Sequence, residues 1–154
     1  MSLLRHAVSC LCPLLLAAAV LPAHAAQAGL AYHRDPASTS PYSPVVRLGE
    51  VLYVSGQLGL GADGKPLADF EAQVRKAMDN VSTQLRAAGS GLDQVGQCTA
   101  LITDAANWAV FNRVYAGYFE TSRLPARTAA VVAGLPLGAA VEVECIARAG
   151  AAGG

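Results

Sequence analysis

Histidine, cysteine and net charge are all in short supply in this chain, and each shortage removes a class of chemistry. Its 154 residues include three histidines and four cysteines. Residues 1–25 hold two of each and read as an export signal. Arg5 and His6 form a basic start, Ala7 to Val20 is apolar, and Ala23-His24-Ala25 is a small-x-small cleavage site. Pro13 and Pro22 bracket a run shorter than the roughly 20 apolar residues that a membrane-spanning helix needs. Cleavage near Ala25 and a periplasmic or secreted mature protein, free of the membrane, are therefore expected. Only His33, Cys98 and Cys145 then remain. They are too few for the usual zinc or iron ligand set, or for a nucleophilic Ser or Cys activated by His. Neither a metal nor a cofactor is expected. Basic and acidic residues balance at 11 each, so no positive excess points to nucleic acid. Chemistry is left to Arg, Glu, Tyr, Ser, backbone groups and water. Cys98 and Cys145 sit inside apolar, strand-like runs, which favours buried thiols over a disulfide.

Residues 26–40 read as an extended lead-in in which Pro36, Ser38, Thr39 and Ser40 oppose regular structure. A single domain follows over 41–149, and 150–154 form a small, disordered tail. Val45 to Leu48 and Val51 to Ser55 flank Gly49-Glu50, a two-residue hairpin with Gly in the first central position. Gly56 to Pro66 reads as a glycine-rich loop. Phe70, Val74, Ala77, Met78, Val81, Leu85 and Ala88 recur at helical spacing, with Asp69 as N-cap and Gly89 as stop. Val95 to Thr103 reads as a strand. A second helix, capped by Asp104 and presenting Trp108, Phe111, Tyr115 and Phe119, runs to Arg123-Leu124-Pro125. The resulting order is β-β-α-β-α-β-β. The helices each hide one face and so cover one side of the sheet, leaving an apolar opposite side for an oligomer interface.

Three motifs carry little. Gly59-Leu60-Gly61-Ala62-Asp63-Gly64 matches a dinucleotide-binding pattern, but Lys65-Pro66 separates it from the helix that would meet the phosphates. Asn80-Val81-Ser82 fits a glycosylation acceptor yet lies in mid-helix, on what reads as an ordinary exposed face. Ser55-Gly56-Gln57 lacks the leading Gly of a nucleophile elbow. Ser55 suits a turn hydrogen bond or a polar ligand contact, and Gly56 a close backbone approach. Tyr42, held between Pro41 and Pro44, either packs at a strand start or lines a pocket.

The last two strands carry the chemistry. Ala126 to Val132 is small and β-branched apart from Arg127, and Val141 to Ala147 alternates apolar residues with Glu142 and Glu144. A guanidinium in such a strand needs a carboxylate. It comes either from Glu142 or Glu144, or from a ligand gripped in two parallel hydrogen bonds. One glutamate then holds the Arg while the other, half-buried, serves as acid or base. The residues alone leave both arrangements open.

The ordered segments Pro41-Tyr42-Ser43, Tyr53-Val54-Ser55-Gly56-Gln57, Ala87-Ala88-Gly89, Phe111-Asn112-Arg113-Val114-Tyr115, Pro125-Ala126-Arg127-Thr128, Leu135-Pro136 and Val141-Glu142-Val143-Glu144 resemble the RidA/YjgF family of enamine/imine deaminases. The resemblance spans nearly all of the chain after the signal. It implies an α+β fold of the chorismate-mutase-like type, a mixed sheet with two helices packed on one face, forming a homotrimer with sites between subunits. It implies Arg127 as the substrate-carboxylate anchor and Glu142 as the water-orienting catalytic group. Tyr42, Ser55, Gly56, Asn112 and Ala129 fall at pocket or signature positions, although many members carry Cys where Ala129 stands. The implied reaction hydrolyses 2-aminoacrylate-type enamines or 2-imino acids to a 2-keto acid and ammonia. The alternatives are a non-catalytic, carboxylate-binding trimer and a chaperone-like interaction protein.

Overall fold

The structure is a computed structural model and describes residues 29–150. The expected signal segment and most of the carboxyl tail lie outside the described residues. The elements are β1 (Leu30–His33), β2 (Val45–Leu48), β3 (Val51–Leu58), α1 (Phe70–Ala87), β4 (Val95–Ile102), α2 (Trp108–Ala116), β5 (Ala126–Val131) and β6 (Val141–Arg148). They build one mixed sheet in the order β1-β2-β3-β6-β4-β5, in which β4 and β5 run parallel and the other neighbours antiparallel. This is the mixed sheet with two helices that the sequence implies.

Local chemistry accounts for the best-defined elements. Asp69 accepts a hydrogen bond from the Ala72 amide at 2.8 Å, satisfying one free donor at the start of α1. At its end Gly89 takes φ +76° and the Ser90 amide returns to the Leu85 carbonyl, a close that glycine permits without strain. Between these caps Val74, Ala77, Met78, Val81 and Leu85 are fully buried against the sheet. The partners from the sheet are Leu52 and Val54 on β3, Ala100 and Ile102 on β4, and Val141 and Val143 on β6. The hairpin turns on Gly49, at φ +59°, with Leu48 opposite Val51.

Several expectations need correction. The lead-in supplies β1, which pairs along β2 from Leu30 opposite Leu48 to His33 opposite Val45. β3 does not stop at Ser55 but runs to Leu58. Its register against β6 passes from Val54–Cys145 to Gln57–Val143, so one extra residue is accommodated in a bulge at Ser55-Gly56. The second helix is shorter than its apolar spacing suggests. Asp104 caps a short 3-10 turn that leads into α2, which ends at Ala116, although Phe119 still packs on Tyr115 with ring centroids 5.0 Å apart. Asn80 is no ordinary exposed position, because its amide donates to the Leu58 carbonyl at 3.1 Å and ties α1 to the end of β3.

The cysteines also differ from expectation. Pairing of β4 with β6 sets Cys98 directly opposite Cys145 on the helix-covered face, and the two form a disulfide. Both are buried. The bond closes a loop of 47 residues. A constraint of that length removes unfolded-state freedom worth about 4 kcal/mol. Denaturant melts with and without a thiol reductant should therefore differ by roughly 2–4 kcal/mol in favour of the oxidised form. Equal unfolding free energies would show that the bond contributes nothing to stability.

Candidate active site

The sheet separates the two charged residues that matter most. On β6, Val141, Val143, Cys145 and Ala147 point into the helix-covered core, so Glu142 and Glu144 point to the uncovered face. On β5, Arg127 lies opposite Cys98 and therefore on the helix side. Its guanidinium stands over the rings of Tyr115 and Phe111 from α2, at 4.9 and 5.4 Å from their centroids. Two strand spacings, about 10 Å, and three residues of rise, also about 10 Å, separate Arg127 from Glu142 within one protomer. They also face opposite sides. Neither glutamate neutralises the Arg, contrary to one of the two arrangements open in the sequence.

Arg127 is instead held by uncharged groups. Its Nη2 donates to Asn112 Oδ1 at 2.8 Å, and the aromatic faces below add a cation–π attraction. Burial pushes the Tyr115 hydroxyl up to about 12, against a smaller opposing effect of Arg127, so the phenol stays neutral under the guanidinium at ordinary pH. Among the described residues no carboxylate lies within ion-pairing distance of Arg127. The guanidinium is exposed, its positive charge unspent. All six residues of β5 are exposed, although the strand reads as apolar and occupies the sheet edge. Ala129 lies on the same side of β5 as Arg127 and presents only a methyl group there.

Glu142 lies in a cavity of about 290 Å³ on the opposite face, lined also by Tyr42, Ser55 and Gly56. The bulge explains why these residues meet. It turns the Gly56 backbone against the Glu142 side chain so closely that a Cβ at position 56 would overlap Oε1 and stand 2.7 Å from Cδ. Glycine here makes space for the carboxylate, a more specific task than approach to a ligand. Ser55 donates its hydroxyl to the Ser43 carbonyl at 2.8 Å, and its amide reaches the Pro44 carbonyl at 3.0 Å. Those two bonds fix the segment that presents Tyr42, itself 55% exposed toward the cavity. The Glu142 carboxyl is held above the usual carboxylate range, chiefly because burial disfavours its charge and secondarily because Glu144 is near.

Two further contributors carry little signal in the sequence. Gln73, 6% exposed, donates to the Leu67 carbonyl at 2.7 Å and accepts from the Ala140 amide at 2.9 Å. It thereby braces both loops that wall the cavity. Its only sequence signal is a polar residue in the first turn of a helix otherwise buried along that face. Leu137, also on the cavity wall, is the second. The candidate residues thus fall into two separate groups: Tyr42, Ser55, Gly56 and Glu142 around the cavity, and Arg127, Asn112 and Ala129 at or beside the β5 edge. Among the described residues no cluster of three or more His, Cys, Asp or Glu side chains is placed to hold a metal ion.

Fold and geometry together define a class: an α+β domain with a carboxyl of raised proton affinity in a cavity on one face of its sheet and an exposed arginine without an ion-pair partner among the described residues on the other. Residues 32–149 match the sequence profile of the family described as Endoribonuclease L-PSP. The chain is 38% identical over 116 residues to the mouse 2-iminobutanoate/2-iminopropanoate deaminase, covering 74% of this chain and 85% of the mouse protein. It is 39% identical over 113 residues to the RutC family protein y4sK of Sinorhizobium fredii, covering 72% and 89%. The crystal structure of the YjgF gene product from E. coli superposes with a TM-score of 0.69 at 32% identity, over 77% of this chain and 98% of that one. The chain belongs to the RidA/YjgF family, and at the family level these relatives support a deaminase-like activity.

Proposed function

We propose that this protein is a hydrolytic deaminase of 2-aminoacrylate-type enamines and 2-imino acids, working as a homotrimer with each site shared by two subunits. The single observation that carries the reading is the pairing of an unneutralised, rigidly mounted Arg127 with a carboxylate of raised proton affinity in a cavity. In one chain the two are too far apart for one small acid. A neighbour that brings its β5 edge to the mouth of the Glu142 cavity completes the set. The exposed edge strand supports that docking. So does an uncovered sheet face that leaves Leu30, Tyr32, Leu48, Tyr53 and Ile146 exposed.

The chemistry balances with these groups. The enamine tautomerises to the imine as nitrogen loses a proton and the terminal carbon gains one. The substrate carboxylate lies in the fork of Arg127, and Glu142 takes a proton from a water as its oxygen bonds to the imine carbon. That proton passes to nitrogen and gives a carbinolamine. The new hydroxyl then loses its proton, carried by Glu142 to the same nitrogen, as the carbon–oxygen double bond forms, the carbon–nitrogen bond breaks, and ammonia leaves a 2-keto acid. Tyr42 and the Gly56 backbone border the reacting carbon.

The partner in this reading is a small imino or enamino acid, with no part for nucleic acid. Export is the further part of the proposal: the Cys98–Cys145 pairing suits an oxidising compartment. Activity is tested by generating an imine in situ with an amino-acid oxidase and trapping it with semicarbazide. Purified protein should lower the trapped signal while ammonia and keto acid rise. An unchanged signal would reject the deaminase and favour a binding or interaction protein.

A further inference from the structure

Half of the residues that line the Glu142 cavity are apolar: Leu58, Leu60, Pro136 and Leu137. Leu137 is unusual in two ways. It is 68% exposed, the highest value among the exposed large apolar side chains. It also takes φ +58° and ψ +12°, and is the one non-glycine residue with positive φ among those described. A leucine in the left-handed region is uncommon, since its Cβ crowds the backbone there. Glycine or asparagine would adopt this turn more readily, and neither would present hydrocarbon to the cavity.

The turn is held in place by its surroundings. The Gly138 amide bonds to the Leu135 carbonyl and the Ala139 amide to the Pro136 carbonyl. Just beyond, Ala140 is fastened through its amide to Gln73 and through its carbonyl to the Thr103 amide. Gln73 likewise braces the facing loop, where the Leu67 amide meets the Gly59 carbonyl and Gly59 packs directly on the Gln73 backbone. Backbone strain of this kind persists where neighbouring structure fixes it, and it concentrates at ligand-binding positions. The volume points the same way. An apolar cavity of about 150 Å³ already admits a benzene ring, and this one holds about 290 Å³. A substrate whose side chain is a single methyl group leaves most of that apolar lining uncovered.

We infer that Leu137 is a specificity-determining residue, and that the cavity selects 2-imino acids with branched or aromatic apolar side chains over the smallest ones. The inference rests on the deaminase reading and deepens it. With Glu142 at the imine carbon and the carboxylate directed to the subunit seam, the substrate side chain is left to fill the Leu58, Leu60, Pro136 and Leu137 wall. Contact of one or two methylenes with such a wall discriminates by about tenfold or more.

The test compares imines generated from leucine, phenylalanine, 2-aminobutyrate and alanine, each assayed with wild type, Leu137→Gly and Leu137→Asn. Both replacements suit a left-handed backbone, so the turn survives. For wild type, kcat/KM should be about tenfold or more higher with the leucine-derived than with the alanine-derived imine. That ratio should fall about tenfold in both variants. A wild-type ratio at or below unity, or a ratio that the variants leave unmoved, overturns the inference while the deaminase reading stands. A purely structural or interfacial Leu137 would lower all four activities together and leave the ratio unmoved. Turnover of none of the four imines would instead overturn the deaminase reading, and this inference with it.

Discussion

Arg127→Ala should reduce kcat/KM for imino-acid hydrolysis by about 10²–10⁴-fold, the loss of two charge-assisted hydrogen bonds worth about 1.5–3 kcal/mol each. The site is unusual in how little of the Arg charge is used internally. Asn112 Oδ1 takes one N–H, and neutral rings lie beneath. The rest of the fork has no hydrogen-bond or ion-pair partner among the described residues. Removing it leaves no buried carboxylate unpaired, so the fold should melt within a degree or two of wild type, as is usual for exposed substitutions. Arg127→Lys should recover little, because a point charge lacks the two parallel donors. Steady-state kinetics beside a thermal melt checks this. Wild-type kcat/KM in the alanine variant would remove Arg127 from the site.

Glu142→Gln should lower kcat by about 10²–10⁴-fold, the usual range for a lost general acid–base group. The pH dependence follows from the raised proton affinity of this carboxyl. As the base it must be ionised, so wild-type kcat should climb with pH through a limb above the ordinary carboxylate range. The glutamine variant should lose that limb. Stability should move the opposite way. A folded-state pKa above the unfolded one means that the native state binds the proton more tightly. The benefit is present at low pH and is lost as pH rises through the folded value. At neutral pH the ionised Glu142 therefore opposes folding, and Glu142→Gln should melt higher than wild type, with the gain fading in acid. Such an exchange of stability for function is common at active sites. A variant that keeps kcat and its pH limb would contradict the assignment.

What could be read from the sequence divides by range. α1 was legible because its signals are local: the Asp69 cap, the apolar stripe and the Gly89 stop all lie within one segment. The same holds for the Gly49 hairpin. Arg127 and Glu142 stood out because a charge in a short apolar strand needs a reason. Strand register was not legible, since it depends on partners far along the chain. Register alone decides that Cys98 meets Cys145 and that Arg127 and Glu142 face opposite sides of the sheet. Gly56 illustrates the ambiguity of glycine. It reads as the start of a loop, yet it sits in a bulge within a continuing strand, where the missing Cβ admits Glu142. The prolines and serines of the lead-in oppose regular structure, but four residues ahead of them, Leu30 to His33, join the sheet edge. Gln73 and Leu137 leave almost no local trace, because one acts through loops distant in sequence and the other through its backbone conformation.

The central claim is that each active site joins Arg127 from one subunit to the Glu142 cavity of another. Subunit complementation tests it most directly. Arg127→Ala and Glu142→Gln proteins, each inactive alone, are unfolded together and refolded as mixed oligomers. In a symmetric ring with random assembly, about one quarter of the seams would then pair an intact Arg127 with an intact Glu142. Recovery of about one quarter of wild-type activity is the predicted result. Mixed oligomers that form but show no activity above the single variants would contradict the account.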